Sequence, residues 1–419
     1  MMPVHKTAFA LFGCAVILLM LHAALTLLGA AAVLPAATLE LSFEHLDAIR
    51  WTVMRLAIES GLLGGGIYFF IARTTALWFG WAARGWAVAL AVSLVAAVSG
   101  VPVLQVVVTV LRALLILIIA VSIGRAPTAW HTARVWQIGM ALAAASMSVG
   151  LLPFSDDAAR DMLRALASGL TITIAYALAS LALGYELIRR FSQVSESWAR
   201  ESFVALAGML ALAGMLVTLS TLYPQVSADW LRSLGNASVV IVPILLLIAL
   251  AHTYHALAER GDNATLAAHW YALAMLLLFL GVGVAGGVQA VPALRRWTAG
   301  TWLDTAQVTL ILFAPIAIIL GTINQVAAEL HGVNGRITGY MPFWLVAFGV
   351  IGGGLALAGA GIGQVYMERV LSVPAADVQR LLLPLLLLWL LSQLTAAAGI
   401  GIYALGFWLR RPVEMPELD

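Results

Sequence analysis

The sequence predicts an all-α membrane protein, a single polytopic bundle of about twelve transmembrane helices covering residues 1–419. Two observations carry that prediction. Hydrophobic residues make up 63% of the chain and charged residues 10%, with a mean hydropathy of +1.00, a balance that water-soluble domains do not have. Apolar runs of about 20 residues, long enough to cross a bilayer core, recur along the whole chain. Nothing between them is long enough to form a separate domain.

The composition also excludes some classes. A net charge of +2 gives no argument for a nucleic-acid partner. Cys14 is the single cysteine and lies inside the first apolar run, so neither a disulfide framework nor a thiolate metal site can be built. Of the 22 basic residues only Lys6 is lysine, a skew that reads as coding bias.

Taken in order, the spans fall at about 7–36, 46–71, 76–99, 102–124, 132–154, 161–188, 200–222, 230–257, 266–291, 302–327, 341–367 and 379–409. The first has a basic start and small residues, as a signal peptide does, but its apolar run is too long for a signal core, so it reads as an uncleaved span. Pro102, Pro153, Pro224, Pro292 and Pro374 punctuate the connections. No internal repeat is legible.

Arginine placement sets the orientation. One side carries Lys6, Arg73, Arg125, Arg134, Arg189, Arg190, Arg200, Arg260, Arg336, Arg410 and Arg411. The opposite side has fewer (Arg160, Arg164, Arg232, Arg295, Arg296, Arg369 and Arg380) and also holds Glu40, Glu44, Asp156, Asp157 and Asp229. Both termini are therefore expected in the cytoplasm, in a multi-pass protein of the cell's inner membrane.

The most informative stretch runs from Gly281 to Glu329, GVGVAGGVQAVPALRRWTAGTWLDTAQVTLILFAPIAIILGTINQVAAE. A small-residue apolar segment climbs to Thr298-Ala299-Gly300, and a second long segment opens with Asp304-Thr305-Ala306-Gln307-Val308-Thr309. This pattern resembles the tenth-helix region of the heme-copper oxidase catalytic subunit, subunit I of cytochrome c oxidase, most closely its nitric oxide reductase branch. The resemblance places two heme-ligating histidines at Gln307 and Thr309. Positions two apart on a helix point about 200° apart, so one helix can serve two hemes on opposite sides. Here both positions lack an imidazole.

The resemblance continues from about Leu41 to Arg369. The second span resembles the family's second helix, and the low-spin heme ligand falls at Arg50, in Arg50-Trp51-Thr52. The glycine patch Gly64-Gly65-Gly66 and Tyr68 fit as well. Aligning the Trp230-to-Gly235 turn puts the copper-site histidine pair at Ser220-Thr221. A third metal-binding histidine from span six is excluded, because none occurs between His131 and His252. Within span six the acids Asp161 and Glu186 lie only near its ends, so the reductase-type glutamate reads as missing. Pro342-Phe343-Trp344-Leu345 and Ala360-Gly361-Ile362-Gly363-Gln364 look like the eleventh helix. The resemblance thus implies the oxidase bundle with its heme and copper ligands replaced, a pseudoenzyme with no catalytic or metal-binding residue to assign. No cofactor is expected, although a heme held in an unconventional way is not excluded.

The remaining histidines and methionines read as structural. His252 and His255, spaced i, i+3, cap a span end, and His269-Trp270 anchors another. His22 stands alone in span one. Met54, Met140, Met147 and Met209 read as packing.

Charges at membrane depth are costly unless they are paired. Arg55 and Glu59 are spaced i, i+4 and are expected to pair. Arg50 and Asp304 are expected to form an ion pair across the vacated heme cavity, with Thr309 lining it; the alternative is that each reaches the outer surface separately. Arg84 and Arg112 have no obvious partner. Space left by a heme must be filled, since packed interiors do not keep such voids. Leu303, Val308, Trp297 and Trp302 are candidates for filling it by bulk. Gly281, Gly283, Gly286 and Gly287 would instead close it by helix approach.

Three functional readings follow. The first is a structural or accessory subunit that works with lipid and other membrane subunits in a respiratory or metalloenzyme complex. The second is a transporter or channel that reuses the vacated core, with Arg50, Arg55, Glu59, Asp304 and Gln307 along its path. The third is an electron carrier with one unconventional heme.

Overall fold

A computed structural model of the chain describes residues 3–32, 43–70, 77–122, 130–149, 157–191, 196–220, 222, 228–258, 266–330, 335–409 and 413–414. Of the residues used above for orientation, Glu40, Arg73, Arg125, Asp156, Arg260, Arg410 and Arg411 lie outside these.

Among the described residues ten helices are long and apolar enough to cross a membrane, which makes the chain an all-α, multi-pass membrane protein. Helices dominate because the hydrocarbon offers backbone N–H and C=O groups no partner outside the segment itself. The first five are α1 (Pro3–Ala32), α2 (Phe43–Phe70), α3 (Leu77–Ser99), α4 (Pro102–Ser122) and α5 (Trp130–Val149). A sixth run is built from α6 (Asp157–Leu170), a π-helical turn at Thr171–Ala175 and α7 (Tyr176–Phe191). Next come α8 (Glu196–Ser220) and α9 (Asp229–Ala258). A ninth run joins α10 (Leu266–Leu278), a π-helical segment Phe279–Gly286 and α11 (Gly287–Ala290). After the short α12 (Pro292–Thr298) follow α13 (Trp302–Leu330), α14 (Tyr340–Val365), α15 (Ala375–Leu381) and α16 (Leu383–Leu409).

Two of the expected spans, α3 and α5, are not among the ten. The described apolar stretch of α3 is only Arg84–Ser99, and α5 opens on the polar sequence WHTARVWQ. Turns end the helices where the sequence has glycine and proline. Gly100 takes φ +66° just ahead of Pro102, which starts α4, and Gly300 takes φ +76° between α12 and α13. Both are left-handed conformations that glycine adopts without a Cβ clash.

Each helical run packs on the next, and α16 returns to α1, so the chain forms a closed ring. Inside the ring α2, α7 and α13 touch one another. Of the apolar stretch of α13, 94% is buried, against 33% for α16, which marks α13 as central and α16 as peripheral. The glycine patch of α2 makes its central position possible. Gly64 abuts Phe12 of α1, Gly65 abuts Leu183 of α7, and Gly66 abuts the Trp136 ring of α5 so closely that a Cβ would overlap it. Three neighbours thus close on one helix turn, as small residues allow in membranes.

A two-residue antiparallel pair, Gly335–Arg336 with Val413–Glu414, ties the loop after α13 to the chain's end. That loop is also held by Asn324, whose Oδ1 accepts from Thr338 N at 2.9 Å.

Candidate functional site

Arg50 is buried in α2, at 4% exposure. Its guanidinium donates to Asp47, one turn earlier, and lies over the Trp51 ring at 4.5 Å. Trp51 Nε1 donates to the other oxygen of Asp47 at 2.9 Å. His22 is not isolated in α1: its Nδ1 donates to the Arg50 carbonyl at 3.1 Å, and its ring lies 6.0 Å from Phe313 of α13. Met54, directly below, is fully buried.

The expected pairing of Arg50 with Asp304 is corrected. Asp304 sits in the first turn of α13, where it accepts from Gly300 N at 2.7 Å and from Arg295 at 2.9 Å. Arg295 also donates to Gln289. The physical reason is locality. Each acid meets a cation or N–H within nine residues of it in the chain, whereas a bridge between α2 and α13 would require ordering side chains distant in sequence. The two charges thus stay apart, each near its own helix end.

Gln307 and Thr309 occupy opposite faces of α13. Gln307 lies against Gly286, and Thr309 Oγ1 donates back to the Thr305 carbonyl at 2.7 Å. Small residues bring neighbours against α13 at two points, beside an apolar cavity of about 440 Å³ lined by Leu280, Val284, Leu303, Ala306, Leu310 and Gly354. A Cβ on Gly281 would lie 3.0 Å from Ile311 N, and one on Gly361 of α14 would overlap the Leu303 backbone. Leu303 is buried and Val308 packs on the core. Trp302 packs beside Trp389, with ring centroids 5.8 Å apart. Trp297 does not fill the interior; it is 44% exposed at the end of α12.

Ser220, where the resemblance would put a copper-site histidine, donates to the Leu216 carbonyl and lies 3.4 Å from Ser238 Oγ. Thr221 lies outside the described residues. Among the described residues no three histidine, cysteine or carboxylate side chains gather at one point.

The polar centre of the bundle lies elsewhere. Glu59 of α2 is fully buried and does not pair with Arg55. Its carboxylate accepts from Arg112 of α4, at 2.6 Å to each oxygen from Nη2 and 3.1 Å from Nε, and from the Tyr176 hydroxyl at 2.8 Å. The rotation of α2 explains the correction. Glu59 points at α4 and α7, where Arg112 is otherwise unpartnered, while Arg55 points one turn outward and donates to Ser168 at 3.3 Å. The π turn at Thr171–Ala175 ends at Tyr176, just where the chain delivers this hydroxyl. Such bulges recur where a helix must aim one side chain.

Above this cluster opens a cleft of about 450 Å³ between α2, α3, α4, α5 and α6. Arg55, Glu59, Arg112 and Tyr176 line its depth; Ser93, Gln105, Thr109, Ser146, Ser168 and Arg164 line its walls. Three arginines face one carboxylate. Below Glu59 the bundle is filled by Trp86 and Trp136, both fully buried, whose indole N–H groups donate to Ser60 Oγ at 2.9 Å and to the Leu62 carbonyl at 3.2 Å. Arg50, Asp304 and Gln307 do not line this cleft, so the five residues expected along one path are not brought together.

Sequence reasoning named Arg55 and Glu59 but missed Arg112 and Tyr176 as their neighbours. The signal was present: Glu59 is the one acid at membrane depth in the first five spans, and Arg112 is a cation that needs one. The fold and this site define a multi-pass helical membrane protein with a buried ion pair at the foot of a polar cleft. The chain matches no protein-family profile, and no curated protein is significantly similar to it.

Proposed function

We propose that the chain is a twelve-span bundle of the heme-copper oxidase type that has lost its hemes and copper and serves as a structural or accessory subunit of a membrane respiratory or metalloenzyme complex. It would lie in the cytoplasmic membrane with both termini inside. The observation that carries this reading is the state of the second and tenth helices. They pack side by side, as the resemblance requires, while the ligand positions hold Arg50, Gln307 and Thr309.

The residues present do not fit a heme. No imidazole stands at any of these positions, and the glycine contacts Gly281–Ile311 and Gly361–Leu303 bring neighbouring helices close against α13. The bulk of Trp51, His22 and Phe313 beside Arg50 supports the same reading. No redox step is therefore assigned to this chain.

A partner role is tested by purification from native membranes in mild detergent through a tag on this chain. The expected result is a heme-bearing membrane enzyme eluting at fixed stoichiometry and remaining through size exclusion. A chain that elutes alone and monodisperse, at full yield, removes the accessory role. The cleft at Arg55 favours transport as a second reading, because polar groups at membrane depth mark solute sites.

A further inference from the structure

The cleft above Glu59 contains a charge imbalance that the described side chains do not neutralise. Glu59 is fully engaged, holding Arg112 through both oxygens and accepting from Tyr176. Arg55, one turn outward on the same helix, has no carboxylate within ion-pair distance among the described residues and donates to Ser168 instead. Its Nη2 reaches only the neutral Ser168 hydroxyl at 3.3 Å, and its Nε is buried without a hydrogen-bond partner. A guanidinium in a membrane interior without a counter-ion is strongly disfavoured, and its fork of donors suits a planar or tetrahedral oxyanion. The space it faces is also lined by hydroxyl and amide groups from Ser93 of α3 and Gln105 and Thr109 of α4. Arg164 stands among the walls, and its acid partner, Asp161, is 3.9 Å away and largely exposed.

We propose that this cleft is a binding site for a phosphate-type oxyanion, held by Arg55 with Ser168 and steadied by the fixed Arg112–Glu59–Tyr176 floor. Arg112 contributes positive potential but keeps its hydrogen bonds to Glu59, so Arg55 is the residue whose donors are free to change partner. The ligand's chemistry is a phosphate group, delivered either as a free anion from the outer face or as a phospholipid headgroup entering from the surrounding leaflet. The inference does not depend on the oxidase-like reading; it would stand for any bundle with this cleft.

The test uses the full chain purified in detergent, in two arms. In the first, inorganic [³²P]phosphate is titrated by equilibrium dialysis. In the second, phosphatidylglycerol retained through size exclusion is counted by native mass spectrometry. In one arm the wild-type chain is expected to bind one equivalent, and Arg55→Gln to lose at least tenfold in affinity or occupancy, the size expected for a charge-assisted contact. Ser168→Ala keeps the cation and should weaken binding by a few-fold; it serves as the variant if Arg55→Gln does not yield folded protein. Phosphate binding in the first arm identifies a free-anion site, and lipid retention in the second identifies a headgroup site. Failure of the wild-type chain to bind in both arms overturns the proposal, as does equal binding by folded wild-type, Arg55→Gln and Ser168→Ala proteins.

Discussion

Arg112 of α4 grips Glu59 of α2 through two nitrogens, 53 residues away in sequence and with both side chains withdrawn from solvent. A buried pair of this kind is weak evidence of net stability, because desolvation offsets most of the attraction. Breaking it on one side only is a different matter, since a bare charge is then left in the bundle. Glu59→Leu is therefore expected to cost about 3–5 kcal/mol, while Glu59→Leu combined with Arg112→Met recovers most of the loss. Thermal unfolding in detergent checks both. A double variant no better than the single one would show that the pair itself, and not the orphaned charge, governs stability.

Tyr176 is held to Glu59 by one hydrogen bond at the end of the π turn. Tyr176→Phe keeps the ring and removes the hydroxyl, and should cost about 1–2 kcal/mol, typical of a bond to a charged group. The same unfolding measurement reads it, and an unchanged midpoint would mean that the hydroxyl contributes nothing.

The separation of Arg50 from Asp304 is testable by coupling. A double-mutant cycle on Arg295 and Asp304 should give about 0.5–1 kcal/mol, and the cycle on Arg50 and Asp304 a value near zero. A coupling above that between Arg50 and Asp304 would restore the bridge across the bundle.

These cases show how far the residues alone could be read. Hydropathy located the helical runs within a few residues, because apolar length is a property of one segment. Of the four glycines expected to form a close-approach face, Gly281 and Gly286 meet α13, whereas Gly283 and Gly287 meet Leu246 and Pro243 of α9. Pairing partners were not legible. The i, i+4 rule favours Arg55 with Glu59 on an isolated helix, but the rotation of α2 within the ring turns Glu59 toward α4. The Arg50–Asp304 pair is expected from the resemblance, which sets their helices across a heme cavity, whereas Asp47, only three residues before Arg50, is its actual partner. Span count was read as twelve, and two of those helices, α3 and α5, are not among the ten that pass as membrane-spanning by length and composition.

Close packing of α2 gives a further expectation. Gly66→Ala places a methyl against the Trp136 ring and should cost about 1–3 kcal/mol by overpacking. Gly208→Ala in α8, with open space around it, should be neutral or slightly stabilising. Equal midpoints for the two variants would mean that the α2–α5 contact is looser than the structure has it.

The central proposal is an oxidase-like bundle whose iron ligands are gone, and the absorbance spectrum of the purified full-length chain tests it most directly. With Arg50, Gln307 and Thr309 at the ligand positions, the account predicts a colourless protein with no Soret band, oxidised or reduced, and no pyridine hemochrome. A Soret band at one heme per chain, retained through purification and lost with no change in fold on His22→Ala or Met54→Ala substitution, would contradict it.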